Sequence, residues 1–239
     1  VRVLYLELMV QRRRDRTRPA SLPRREEDDR STRQRLLETA EQVFAEKGVE
    51  RATGKEICER AGTNAAAVNY YFGGMEGLYS AVLREAISRL VTFDALQAAV
   101  AGKADARSKL EAFLQLFVEA LTGPASLSWV LRVIGREVVA PSPAFDALAE
   151  QERPRRARIL KAIVGELMGL PEDHAAVAHG CISVVAPCFL LLICDRRALK
   201  QMFPNLGLTP ADAPAVTRHL VEFALAGLSA IAADARKDA

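Results

Sequence analysis

At 239 residues the chain is long enough for one large domain or two small ones. Half of its residues are hydrophobic and 26% are charged, the composition of an ordinary soluble globular protein. The net charge of +3 permits a nucleic-acid partner without demanding one. Ala, Leu, Glu and Arg are abundant and favour helix. The four cysteines, Cys58, Cys181, Cys188 and Cys194, form no CxxC pair. They read as reduced, buried thiols of a cytoplasmic protein. Glu7 interrupts the short apolar start, so no signal peptide is expected.

In chain order, residues 1–30 read as a disordered basic leader. Arg12, Arg13, Arg14, Arg16 and Arg18 cluster there, Pro19 and Pro23 follow, and no helical or strand period is visible. A second reading makes this segment an arm that reaches DNA phosphates. Order is expected from Ser31. Leu36, Leu37, Ala40, Val43 and Phe44 recur at steps of three and four, one face of a helix that Gly48 ends. Thr53, with Glu56 three residues on, opens a second short helix that Gly62 breaks. A third runs from about Asn64 to Tyr71, and Gly73 and Gly74 stop it. A fourth is expected from Glu76 to about Ala99. Further helices are expected at about 105–122, 127–139, 144–168, 173–200 and 212–234, divided by Gly and Pro punctuation.

A helix, a tight Gly-containing turn and a short second helix make the geometry of a DNA-reading helix-turn-helix. Ala61 and Gly62 let the two helices cross closely, and Val68 is spaced to pack on Ile57 and Phe44. The outer face of the third helix is small: Asn64, Ala65, Ala66 and Asn69. Such side chains let a helix enter the major groove, where Asn reads adenine and an Ala methyl meets a thymine methyl. Asn64 is either a helix cap or a base contact.

Over residues 35–83 the chain resembles the DNA-binding domain of the TetR family of bacterial regulators. The matching pieces are Ala40 and Phe44 to Gly48, Thr53 with Ile57, Ala61 and Gly62, Tyr70 to Phe72, and Glu76 to Leu78. The run from Asn69 to Gly73, NYYFG, is similar to one branch of that family, as is the pattern of Arg136 and Glu137 followed by Pro141 and Pro143. The resemblance implies that Thr53 caps helix two and holds a phosphate, and that Asn64, Ala65, Ala66 and Asn69 face bases. It puts Tyr70 and Tyr71 near the DNA backbone, one of them donating its hydroxyl to a phosphate. Met75 stands where many members carry a phosphate-gripping Lys, and Gly54 is unusual inside a helix. Lys55 or Arg51 can compensate for the missing charge. Arg33 and Arg35 are further phosphate candidates, or a solvated face.

The expectation is therefore an all-α protein. Residues 31–78 form a three-helix DNA-binding domain, and residues 79–239 a larger ligand-binding and dimerisation domain. The helix around 181–194 is apolar on nearly every side and pairs naturally with the last helix. Val184, Cys188, Leu191, Leu192, Leu220, Phe223, Leu225 and Leu228 are the candidate dimer contacts, in a four-helix interface of two chains. The stretch 175–194 is roughly long enough to span a bilayer, but Gly180 and Pro187 favour a buried helix, and no membrane is expected. Phe93, Phe113, Leu116, Phe117, Trp129, Arg132, Val133 and Arg136 are ligand-pocket candidates or plain core. Arg136 and Glu137 read as a structural ion pair or a ligand anchor. No GxSxG, HExxH or P-loop is present, and the histidines and cysteines form no recognisable metal set. Neither an enzyme nor a cofactor is expected. The partners implied are double-stranded operator DNA, a second copy of the chain and an unidentified small-molecule effector.

Overall fold

The computed structural model describes residues 24–123, 128–150 and 152–237, and every regular element among them is helical. The N-terminal helices are α1 (Arg24–Lys47), α2 (Gly54–Arg60), α3 (Ala67–Phe72) and α4 (Met75–Arg89). Beyond them lie α5 (Phe93–Val100), α6 (Ala106–Thr122), α7 (Ser128–Val139) and α8 (Pro143–Ala149). The chain continues with α9 (Glu152–Met168), α10 (Ala175–Ile193), α11 (Arg196–Met202) and α12 (Ala213–Ala235). The basic cluster Arg12–Arg18 lies outside the described residues.

Two cores organise these helices. The first joins α1 to α4 through Leu36, Phe44, Ile57, Val68, Leu78 and Val82, and takes in Trp129, Val130, Val133 and Ile134 from α7. Phe44 is fully buried, with Tyr79 set edge-on to its ring at 5.0 Å. Burial of such a side chain contributes roughly 2–3 kcal/mol. The second core holds Leu96, Leu110, Phe113 and Leu114 with Val164, Val177, Val184, Val221 and Leu228. It is a bundle of α5, α6, α9, α10 and α12. The expected boundary at residue 78 falls inside α4, whose Leu78, Val82, Leu83 and Ala86 belong to the first core.

Four expected boundaries move, each for a local reason. α1 starts at Arg24, so residues 24–30 of the expected leader are helical. The fourth helix stops at Arg89. Leu90 is extended, and the Thr92 side chain accepts from the Ala95 N–H at 3.2 Å to start α5 separately. The expected helix 144–168 is two. Ser142 caps α8, and Pro154 sits in the first turn of α9, where a missing N–H costs nothing. The expected helix 173–200 also divides. Asp195 caps α11 by accepting from the N–H groups of Arg197 and Ala198 at 2.9 and 3.0 Å.

Candidate nucleic-acid interface

The helix-turn-helix is built from α2 and α3. Thr53, in extended conformation, accepts from the Glu56 N–H at 3.3 Å and starts α2. Thr63 returns its N–H to the Cys58 carbonyl at 2.9 Å, with Gly62 between at φ +65°. Asn64 Oδ1 accepts from the Ala66 N–H at 2.9 Å, so its carboxamide oxygen is committed to the turn that leads into α3. The helix proper begins at Ala67, three residues later than expected.

Ala67 and Val68 fix α3 to the core, and Asn69 and Tyr70 on α3 are exposed together with Asn64, Ala65 and Ala66 of the turn that precedes it. Tyr70 is 75% exposed, although its ring stands edge-on to Tyr71 at 4.8 Å. Gly73 closes α3 in the left-handed conformation, at φ +73°. Gly77 then lets α4 begin directly against α3: a Cβ there would lie 1.9 Å from the Phe72 carbonyl oxygen.

The two departures from the family pattern are neighbours. A Cβ at Gly54 would lie 3.6 Å from Met75 Sδ, an ordinary packing distance, so Met75 lies beside Gly54 without requiring a glycine there. The cations around the motif differ in what they touch. Lys47 holds Glu56 at 2.8 Å, and Arg60 holds Glu46 at 2.8 Å and Glu56 at 2.9 Å, tying α1 to α2. These contacts hold the Glu56 carboxyl below its usual range, the Lys47 hydrogen bond foremost. Arg33 lies over the Phe72 ring at 4.9 Å, and Arg35 donates to Thr32 Oγ1 at 3.2 Å. Lys55 has only a loose 3.8 Å contact with Glu59 and is 80% exposed. The Tyr71 hydroxyl donates to Asp29 Oδ1 at 2.8 Å.

The remaining sequence candidates scatter. Trp129 and Val133 belong to the first core, under the DNA-binding helices, whereas Phe113, Leu116 and Phe117 belong to the second. Phe93 is stacked by Arg155 at 3.9 Å, and Arg132 is exposed. Arg136 and Glu137 are not paired with each other. Arg136 donates to the carbonyls of Phe44 and Glu46 at the end of α1. Glu137 is buried and accepts from the Tyr79 hydroxyl and from the Ser142 N–H. Burial, and then that hydrogen bond, push the Tyr79 hydroxyl well above its usual range. Sequence reasoning missed this joint because both acceptors of Arg136 are backbone atoms some 90 residues away.

Of the dimer candidates, Val184, Cys188 and Leu228 face the chain's own second core. Leu191, Leu192, Leu220 and Leu225 pack at its edge, and Phe223 is 70% exposed. The exposed side of α10 carries Ile182, Phe189, Leu190 and Ile193 instead. The α10 helix is therefore not buried all round within one chain, as its composition suggested. Both α10 and the segment Pro210–Ala235 are long and apolar enough to cross a membrane by composition, but each packs one face into the bundle.

Comparison with known proteins agrees with this layout. The family model for bacterial regulatory proteins of the tetR family matches residues 36–82. The model described as the C-terminal domain of the HTH-type transcriptional dual regulator CecR matches residues 106–231, more than half of the chain. The HTH-type transcriptional repressor AcnR of Corynebacterium glutamicum is 38% identical over 60 residues, 25% of this chain and 32% of AcnR. The chain thus spans about a third of that relative's length. Among solved structures, the ketosteroid transcriptional regulator KstR2 of Mycobacterium tuberculosis has the same fold, with a TM-score of 0.61 and 20% identity. That match covers 82% of this chain and 93% of KstR2. AibR, solved with isovaleryl coenzyme A and operator DNA, matches with a TM-score of 0.60 and 15% identity over 80% of this chain and 97% of AibR. With a TetR-type helix-turn-helix followed by a CecR-type C-terminal domain, this chain belongs to the TetR family of DNA-binding transcriptional regulators.

Proposed function

We propose that the protein is a ligand-responsive repressor that binds a palindromic operator as a homodimer and is released by a small molecule. The observation that carries the DNA half is the exposed surface of Asn64, Ala65, Ala66, Asn69 and Tyr70, formed by α3 and the turn before it, with Ala67 and Val68 locked into the core. Asn69 is the base-reading residue, since the Asn64 oxygen caps the turn. Tyr70, Thr53, Lys55 and Arg51 meet the backbone. The repressor sense follows AcnR, which is named a repressor. The effector half follows AibR, which carries a coenzyme A thioester beside its operator. The effector site is taken to surround Phe113, Leu116 and Phe117, whose two rings lie 5.0 Å apart. The protein acts in the cytoplasm, as a regulator of DNA must, and it has no catalytic role.

Release requires the effector to favour a conformation that fits the operator poorly. Helix α4 ends at Arg89 and cannot by itself reach the second core as one rod. Helix α7 makes the additional link. At Gly135 it crosses α10 so closely that a Cβ would lie 3.1 Å from the Leu192 carbonyl oxygen. One residue on, Arg136 holds the end of α1, and Glu137 holds Tyr79 of α4. A shift of α10 is thereby passed to the DNA-binding helices.

The test is a gel shift of the purified protein on the DNA upstream of its own gene, with scrambled DNA as competitor. A specific shift with two subunits per site is expected. Asn69→Ala should lower discrimination by about 1–3 kcal/mol. Unchanged discrimination removes Asn69 from the readout, and operator affinity that no effector alters overturns the release scheme.

A further inference from the structure

We infer that Tyr71 is a positioning residue, not a phosphate donor: with Asp29 it clasps the recognition helix to the first turns of α1 and sets the angle at which Asn69 and Tyr70 are presented. This rests on the DNA-binding reading above. Helix α3 has only six residues, far below the length at which a helix holds itself in water. Its direction must come from contacts. At its start these are the Asn64 turn and buried Ala67 and Val68. At its end they are the Gly77 crossing and two contacts, a hydrogen bond and a cation–π stack, with a segment more than 35 residues back in the chain. The Tyr71 hydroxyl donates to Asp29 Oδ1 at 2.8 Å, and the Arg33 guanidinium lies over Phe72 at 4.9 Å. Asp29 and Arg33 are one turn apart on α1 and grip consecutive residues of the last turn of α3.

Charge argues the same way. A carboxylate beside a phosphate-binding tyrosine would repel the phosphate and compete for the single hydroxyl proton. Placed as it is, Asp29 accepts from that hydroxyl and leaves it no proton to offer a phosphate. Tyr70, on the outer side, is left to meet DNA.

The two roles predict opposite signs for one variant. Binding of Asp29→Ala, Asp29→Asn and Tyr71→Phe is measured on the upstream fragment and on a scrambled duplex of the same length. As a clasp, Asp29→Ala and Tyr71→Phe each lower the ratio of specific to non-specific affinity about tenfold. The double variant is no worse than either, because the pair acts as a unit. Asp29→Asn keeps an acceptor for the hydroxyl and retains the ratio. If Tyr71 instead grips phosphate, Asp29→Ala and Asp29→Asn both tighten binding, and only Tyr71→Phe weakens it. That pattern overturns the clasp. Amide hydrogen exchange of residues 64–72 in the free protein separates this question from DNA binding itself. Exchange should quicken in Asp29→Ala and Tyr71→Phe but not in Asp29→Asn. Wild-type protein that binds no DNA would sink the repressor reading, while unchanged exchange would sink the clasp.

Discussion

Single atoms decide two features of the DNA-binding core. At Gly77 the missing side chain is required by contact, because a Cβ would stand 1.9 Å from the Phe72 carbonyl oxygen and backbone yields poorly. Gly77→Ala must push α4 away from α3. The expected result is a loss of about 1–3 kcal/mol in denaturant unfolding, together with weaker operator binding. Glu41 is the opposite case, a buried carboxyl with one oxygen left unsatisfied. It is 3% exposed on α1, and its Oε1 accepts no hydrogen bond. Burial raises its pKa from 4.5 to about 7, against the pull of Arg89; Glu85 on α4 and Glu38 on α1 push the same way as burial. Because the folded value lies above the unfolded one, the fold favours protonated Glu41, and ionising it in place costs stability. The contribution of Glu41 to stability is full below pH 4.5 and is lost as pH rises through about 7. Glu41→Gln should therefore melt higher than the parent at pH 8 and close to it at pH 4.5. An equal gain at both pH values would show that the charge is not the cause.

At the scale of elements, the joint between the cores is the testable unit. Arg136 ends α7's contribution to the first core and caps α1, giving two carbonyls of its last turn a charged donor. Arg136→Ala leaves the apolar packing of Trp129 and Val133 in place. It should cost about 1–2 kcal/mol in thermal unfolding and make operator affinity less responsive to the effector. A variant that responds as fully as the parent would move the coupling elsewhere. The sequence made the first three helices of the DNA-binding unit legible because each carries its own signal: the Leu36 to Phe44 stripe, the Thr53 cap, and Gly62 and Gly73 as stops. It concealed the breaks at Thr92, Pro154 and Asp195. There the apolar period runs on across the break, and a side-chain cap or a missing N–H ends the helix regardless. The start of α1 was hidden for a different reason. Asp28 and Asp29 look like solvent-exposed tail, and what Asp29 contacts lies 42 residues away. Residues of the C-terminal candidate set were mixed for the same reason: spacing shows that Val184 and Phe223 are apolar, but only the bundle's geometry shows that one faces inward and the other outward.

For the whole molecule, the proposed dimer follows from what one chain leaves uncovered. Phe189, Leu190 and Ile193 on α10 are about half exposed and Phe223 on α12 is 70% exposed, apolar surface that the described residues leave open. Gly227 supports the same face. A Cβ there would meet nothing within 4 Å among the described residues, so none of their packing demands glycine in mid-helix, where it costs about 1 kcal/mol. A second α12 crossing closely at that point would demand it. Two substitutions test this from opposite sides. Phe223→Asp puts a charge at the centre of the face and should yield a folded monomer, because Phe223 contributes to neither core. Gly227→Leu adds only bulk, which the single chain tolerates, and should also yield a monomer with an undiminished helical spectrum. In both, operator affinity should fall about 100-fold or more, since a monomer engages one half-site and forfeits the second recognition helix. Sedimentation of each variant with and without the operator reads both quantities together. A Gly227→Leu protein that stays dimeric would place the two-fold axis away from α12, leaving the exposed side of α10 as the surface to probe.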